Sequence, residues 1–305
     1  MKLQLAMSLI NSLFAKIMPI LPRWAVKPFA KPYVAGEKIQ DVTNVVKNLN
    51  HNGFSATIDI LGEFVNSKEE AIEVRNQYSK LIKAIAELKL DSTISVKLTH
   101  LGLELDYFFC KKEMHKLVEY AKKFDVGIAI DMESSKYTES IYQIYQDVST
   151  VYSKVGAVTQ AYLYRSINDI KKLDSSNLNL RICKGIYNEP STIAIKNKEK
   201  INENFEKLVH TTYNQNGYIC IATHDLDLIS RLELWINKNS IPLDRFEFQV
   251  LYGVPMKNTL NRLKSKGIKL TVYVPFGKSW FDYSMRRLKE NPKIISYVLK
   301  NLFKK

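Results

Sequence analysis

Short apolar, β-branched runs alternate along this chain with longer stretches whose apolar positions recur every three to four residues. The pattern predicts strands at 55–61, 93–98, 126–131, 157–163, 178–183, 217–222, 246–251 and 268–274. Several are almost continuously apolar, as expected of parallel strands buried on both faces; the second and fifth alternate more. The segments 67–88, 111–123, 135–152, 166–172, 193–214, 226–237 and 256–266 read as helices. The first of these has the clearest apolar stripe, with its charges on the other face. Strand and helix alternating eight times over about 250 residues predicts an α/β chain closed into a (β/α)8 barrel of the TIM type. An open, doubly wound sheet is the alternative. No two glycines stand in a GxG arrangement, so the dinucleotide and P-loop fingerprints are both absent.

The barrel domain is expected over 37–305, behind a helical or irregular extension over 1–36. Met1 to Leu21 is largely apolar, but Lys16 breaks the run below the roughly 18 residues that a spanning helix needs. A short secretory signal is one reading of it. An amphipathic helix that packs on the domain or touches a membrane is the favoured one. Pro19, Pro22, Pro28 and Pro32 then make a non-helical passage into the barrel.

With 305 residues, 46% of them apolar and 25% charged, the composition is that of an ordinary globular protein. The net charge of +14 departs from it. A solvated lysine surface explains that charge most simply, and attraction to an acidic membrane or an anionic ligand is the functional alternative. The lysines are scattered and no zinc-finger or RNP signature occurs, so nucleic acid is not an expected partner. Cys110, Cys183 and Cys220 are odd in number and far apart, which suits a reducing compartment rather than a disulfide framework. The five histidines are dispersed, and no metal is expected.

Barrel active sites lie at the C-terminal ends of the strands. Those ends carry Gly62-Glu63, Lys97, Asp131, Gln160, Arg181 with Lys184 and Tyr187, Thr223-His224-Asp225, Tyr252 and Tyr273. Beyond the eighth strand, Ser279-Trp280-Phe281-Asp282 fits a loose capping box. Tyr283, Arg286, Arg287 and Glu290 then follow at i, i+3, i+4 and i+7, on one helical face. Adjacent arginines beside a tyrosine suit a small carboxylate, which guanidinium meets with two parallel hydrogen bonds. A surface helix with one Arg–Glu pair is the plainer reading.

These residues also carry a resemblance. ATIDILGEFV from Ala56, ISVKLTHLGLELD from Ile94, IAIDMESS from Ile128, RICKGIY from Arg181, ATHD from Ala222, EFQVLYGVP from Glu247 and YVPFGKSWFDYSMRRLKENP from Tyr273 run in order through the barrel. In them the chain resembles the proline dehydrogenase family, in its short bacterial form. The resemblance implies FAD-dependent oxidation of L-proline to 1-pyrroline-5-carboxylate, the first step of proline catabolism to glutamate. Hydride would pass from proline C5 to flavin N5, and the electrons to a membrane quinone. It also implies a cytoplasmic location, with peripheral association at the inner face of the cell membrane and oligomerisation left open.

By the same resemblance, Asp131 and Arg181 match catalytic positions, with Arg181 near flavin N5. Arg286 and Arg287 match the clamp on the proline carboxylate, supported by Lys97; Glu63 would pair with the first arginine, and Glu290 belongs to the same substrate set. Tyr273, Tyr283 and Leu251 match the pocket walls. Met132, Gln160, Arg181, Lys184, Gly185, Ile186, Thr223 and His224 match FAD contacts. Asn188 stands where many relatives carry a bulky residue, so one flavin edge would pack differently. Two other readings compete: a flavin barrel of the methylenetetrahydrofolate reductase type, which has no use for paired arginines, and a non-catalytic binding protein, which would have lost the site residues.

Overall fold

In a computed structural model, Lys27, residues 30–281 and residues 283–285 are described. Helix α1 (Ile39–His51) leads into β1 (Ser55–Ile60). There follow α2 (Lys68–Glu87), β2 (Ser92–Val96), α3 (Tyr107–Lys123), β3 (Ile128–Ile130), α4 (Thr138–Ser149) and β4 (Val155–Gln160). The second half runs α5 (Ser166–Lys172), β5 (Asn179–Cys183), α6 (Lys198–Asn214), β6 (Tyr218–Ala222), α7 (Leu226–Lys238), β7 (Phe246–Leu251), α8 (Lys257–Ser265) and β8 (Leu270–Phe276). The strands pair in sequence order, all parallel. β8 closes on β1 in the register Ser55↔Thr271 to Ile60↔Phe276, so the eight-stranded barrel has no free edge.

The eight predicted strands are the eight observed, and closure excludes the open sheet. The boundaries moved for local reasons. β3 is only three residues long and stops before Asp131. β4 stops at Gln160, and the chain beyond it pairs with the loop after β5 through an antiparallel bridge between Leu163 and Ala194. That bridge holds residues 193–195 in a loop, and α6 starts only at Lys198, where the Asn197 side chain accepts from Lys200 N and caps it. Helix α1 was not anticipated. Its fully buried residues are Val42, Thr43 and Val46, with Ile39, Val45 and Leu49 partly buried against the core beside them. It packs on β1 and β8, over the seam where the barrel closes. The anticipated extension over 1–36 lies largely outside the described residues, as do Arg286, Arg287 and Glu290.

Two side-chain layers follow from the period-two geometry of the strands. Ile58, Ile94, Val96, Ile130, Leu180, Ile182, Phe248, Val250, Val272 and Val274 are buried in the hydrophobic core. Thr57, Asp59, Ser95, Arg181, Glu247, Gln249 and Tyr273 alternate with members of that set; Arg181 bonds Thr57, Ser95 and Gln249 across the barrel, while Asp59 bonds Lys97, and Ser95 and Tyr273 bond Asp131. A barrel interior is commonly filled by bulky branched residues. This one is polar in its upper layers, which explains why β2 and β5 alternate in sequence.

Candidate functional site

Arg181 rises from β5 into the centre of the barrel and is almost wholly buried. Its Nη1 donates to Asp131 Oδ1 at 2.6 Å and to Ser95 Oγ at 3.1 Å. Its Nε donates to Gln249 Oε1 at 2.8 Å, and Nη2 reaches Thr57 Oγ1 at 3.4 Å. The guanidinium carbon stands 5.3 Å from the centre of the Tyr273 ring, in cation–π range. Four of five guanidinium N–H groups thus have partners on four different strands or strand ends, which fixes the plane of the fork.

Asp131, one residue past β3, is the hub. It accepts from Ser95 Oγ at 2.7 Å, from Tyr273 OH at 3.1 Å and from Lys97 Nζ at 3.3 Å, besides Arg181. Burial would push its carboxyl up, but the Lys97 and Arg181 charges outweigh that and hold it below the ordinary value. Lys97 also meets Asp59 Oδ1 at 3.3 Å. Burial pulls the Lys97 ammonium down, yet Asp59 and its other anionic neighbours overcome this and raise it well above the ordinary value. Two carboxylates and two cations therefore form a neutral cluster, the condition under which buried charge is tolerable.

On the far side of the mouth, Gln160 Nε2 donates to the Glu133 carbonyl at 2.9 Å. Lys184 pairs with Asp225 at 2.5 Å, and burial notwithstanding, this bond and the helix-capping amides hold Asp225 down at about 2. His224 Nε2 accepts from the Leu251 amide at 2.9 Å, which ties the end of β6 to the end of β7. Gly185 has φ +106°, and a Cβ there would come within 2.2 Å of the Tyr162 ring. Only glycine fits this close approach. Ile186, next in the chain, leaves an apolar side chain about half exposed at the mouth. Met132 and Thr223 are buried at the same level. Tyr283, in the first turn after Trp280, is buried too, and Trp280 Nε1 donates to Glu37 at 3.1 Å.

The structure thus brings Lys97, Asp131, Arg181 and Tyr273 into one cluster, and sets Gln160, Lys184, Gly185, Ile186, Thr223, His224 and Leu251 around it. Glu63 follows β1 on the rim. Reading only strand ends missed Asp59, Ser95, Thr57 and Gln249, which lie within strands. A carboxylate inside the apolar run of β1 was the available signal, because Asp is depleted in strands unless something holds it. Glu133 was missed as well. Both its oxygens bond Thr99, and burial pushes its carboxyl up to about 7 against those bonds.

A closed (β/α)8 barrel with a buried ionic cluster under its C-terminal mouth defines an enzyme-type barrel. The model of the family described as "Proline dehydrogenase" matches residues 42–299. Proline dehydrogenase 1 of Bacillus subtilis subsp. natto is 39% identical over 276 residues, which cover 90% of this chain and 91% of that one. Proline dehydrogenase of Deinococcus radiodurans is 30% identical over 289 residues, 93% of each. A crystal structure of proline utilization A from Bdellovibrio bacteriovorus, inactivated by N-propargylglycine, superposes with a TM-score of 0.81 at 23% identity. It covers 88% of this chain and 33% of its own, and its likeness is one of fold. The chain belongs to the proline dehydrogenase family and is an oxidoreductase of proline metabolism.

Proposed function

We propose that this chain oxidises L-proline to 1-pyrroline-5-carboxylate with FAD as its resident acceptor. The observation that carries the reading is the Lys97–Asp131–Arg181–Tyr273 cluster beneath the mouth of a barrel of this family. When bound, FAD would accept the hydride of proline C5 at N5 and pass the electrons to a membrane quinone.

The residues present fit that group. Arg181 and Lys184 are cations suited to an anionic reduced ring and to phosphate, and Gly185 keeps the backbone close with no side chain in the way. Gln160, Met132, Ile186, Thr223 and His224 would complete the contacts. Lys97 would meet the proline carboxylate, with Arg286 and Arg287 as the clamp and Glu63 and Glu290 as their counter-charges. Leu251, Tyr273 and Tyr283 would wall the ring. Such a clamp contributes by orientation, fixing C5 toward the acceptor. Asp131 balances the charge of Arg181 and holds it in plane, and the low-dielectric mouth strengthens each of these contacts. Neither alternative barrel reading accounts for this combination: the reductase has no need of a carboxylate clamp, and a degenerate binder has no need of the intact cluster.

The expected location is cytoplasmic, with peripheral contact to an acidic membrane surface that its net charge of +14 favours. Among the described residues no helix is long and apolar enough to cross a membrane. Co-sedimentation with anionic vesicles tests the contact, and absence of binding argues against it. The activity is tested with the purified protein, FAD, L-proline and a soluble quinone. Formation of pyrroline-5-carboxylate, identified by mass, is expected. Quinone reduction by another substrate but not by proline would overturn the reading.

A further inference from the structure

We propose that Asp59 is the positioning residue for carboxylate recognition at the barrel mouth, acting through Lys97. That the carboxylate is proline's rests on the reading above; the positioning of Lys97 does not.

Asp59 lies in the interior of β1, paired in register with Ser95 of β2 and Pro275 of β8. Its side chain is 1% exposed, so it cannot itself reach a ligand in the mouth. Its charge is nonetheless spent on a group that can: Lys97 Nζ, at 3.3 Å, whose side chain is 13% exposed. An ammonium has three donors. Asp59 takes one from below and Asp131, also at 3.3 Å, takes a second from the side. The third is the one that can meet an anion in the mouth, and its direction is fixed by the other two.

Asp131 cannot do this alone. Its Oδ1 is occupied by Arg181 and Ser95, and its Oδ2 by Tyr273 as well as Lys97. The charged and titratable groups that act on Lys97 are Asp59 from β1, Tyr273 from β8, Asp131 after β3 and Tyr78 from α2, and beyond them His100, Glu133 and Tyr187 from the loops after β2, β3 and β5. Of the two carboxylates, only Asp59 is not also shared with Arg181. Without it, two cations would face one carboxylate, and Lys97 would be the one to yield its proton, because guanidinium does not.

The test is a double-mutant cycle with Asp59→Asn and Lys97→Met, read three ways. The first reading is binding of cyclopentanecarboxylate to the FAD-loaded protein by calorimetry. The second is kcat/KM for L-proline, and the third is its pH profile. Asp59→Asn should weaken cyclopentanecarboxylate binding and lower kcat/KM by roughly ten- to a hundredfold, the range for loss of a charged hydrogen bond. It should also move the alkaline limb of the profile to lower pH. In the Lys97→Met background the same substitution should change binding and kcat/KM little. Lys97→Met alone leaves Asp59 buried without its cation and is the variant most exposed to misfolding. The charge-neutral double variant removes that difficulty, and comparing it with Asp59→Asn alone asks the same question: removing Lys97 should cost little further once Asp59 is gone, and a large further loss would overturn the proposal.

Equal losses in both backgrounds, or an unmoved alkaline limb, would overturn the proposal, because a merely structural aspartate behaves that way. If Asp59→Asn weakens cyclopentanecarboxylate only when Lys97 is present, but no variant or wild type oxidises proline, the positioning role stands and the substrate assignment falls.

Discussion

The two halves of the mouth are built on opposite principles. The side formed by β8, β1, β2 and β3 is organised by side chains: Asp59, Lys97, Asp131 and Tyr273 converge from strand positions and strand ends, and charge balance holds them. The side formed by β4, β5, β6 and the end of β7 carries one ion pair, Lys184–Asp225, and is otherwise shaped by contacts to backbone. There the Leu163–Ala194 bridge, the left-handed Gly185 against Tyr162, and the His224 contact with the Leu251 amide shape the rim. Arg181 is rooted in the second half and bonded into the first. A site that must hold a small charged substrate and a large, mostly planar cofactor has use for both constructions. Charge selects the first ligand, and shape accommodates the second.

The largest break in this comparison should come at the residue that joins the halves. Arg181→Met strips Asp131 of its 2.6 Å partner and leaves two buried carboxylates, Asp131 and Asp59, sharing the single cation Lys97. Breaking a buried pair costs about 3–5 kcal/mol, so thermal unfolding should show a large loss of stability. Turnover should fall by roughly a hundredfold or more in whatever protein remains folded. Arg181→Met with near wild-type turnover would separate the halves chemically.

A second effect concerns two buried groups beside the charged half. Burial, with Lys97 nearby, pushes His100 down to about 4, and burial pushes Glu133 up to about 7. The signs oppose. Glu133 contributes stability that is fully present below its ordinary 4.5 and is lost as pH rises through about 7. His100 contributes stability that is present above its ordinary 6.5 and is lost as pH falls toward about 4. Each amounts to at most on the order of 3 kcal/mol. Glu133→Gln should therefore steepen the acid-side fall, and His100→Asn should expose a fall toward neutral pH. Melting curves between pH 4 and 8 check both, and parallel curves for the two variants would refute the opposition.

The smallest effect should fall on the backbone half. Gly185→Ala asks an L residue to adopt φ +106° against an aromatic ring. Strain of about 1–3 kcal/mol is expected there. It should appear as weaker FAD binding in a fluorescence titration, with a much smaller change in KM for proline once the protein is loaded. A change confined to KM would assign Gly185 to the wrong half.

Much of this was legible in advance. Every strand was read from apolar, β-branched runs, because a parallel strand buried on both faces leaves that mark. Lys97, Asp131 and Arg181 were legible because ionisable groups stand out where such runs finish. Asp59 and Gln249 were not read, since attention to strand ends overlooks the inward positions just below them. Glu133 was hidden for a different reason: only folding brings Thr99 over its carboxylate. Helix α1 escaped because it stands before the first strand, outside the strand–helix alternation, and eight of its thirteen residues are polar. The loop at 193–197 was read as helix because nothing local announces its pairing with residues 162–164.

The most direct test of the account is the visible spectrum of the FAD-loaded protein before and after anaerobic addition of L-proline. Bleaching of the flavin band by L-proline, with wild-type protein and not with Arg181→Met, is the predicted result. A flavin that stays oxidised in excess L-proline would contradict it, and would leave a flavin barrel whose ionic cluster serves another reductant.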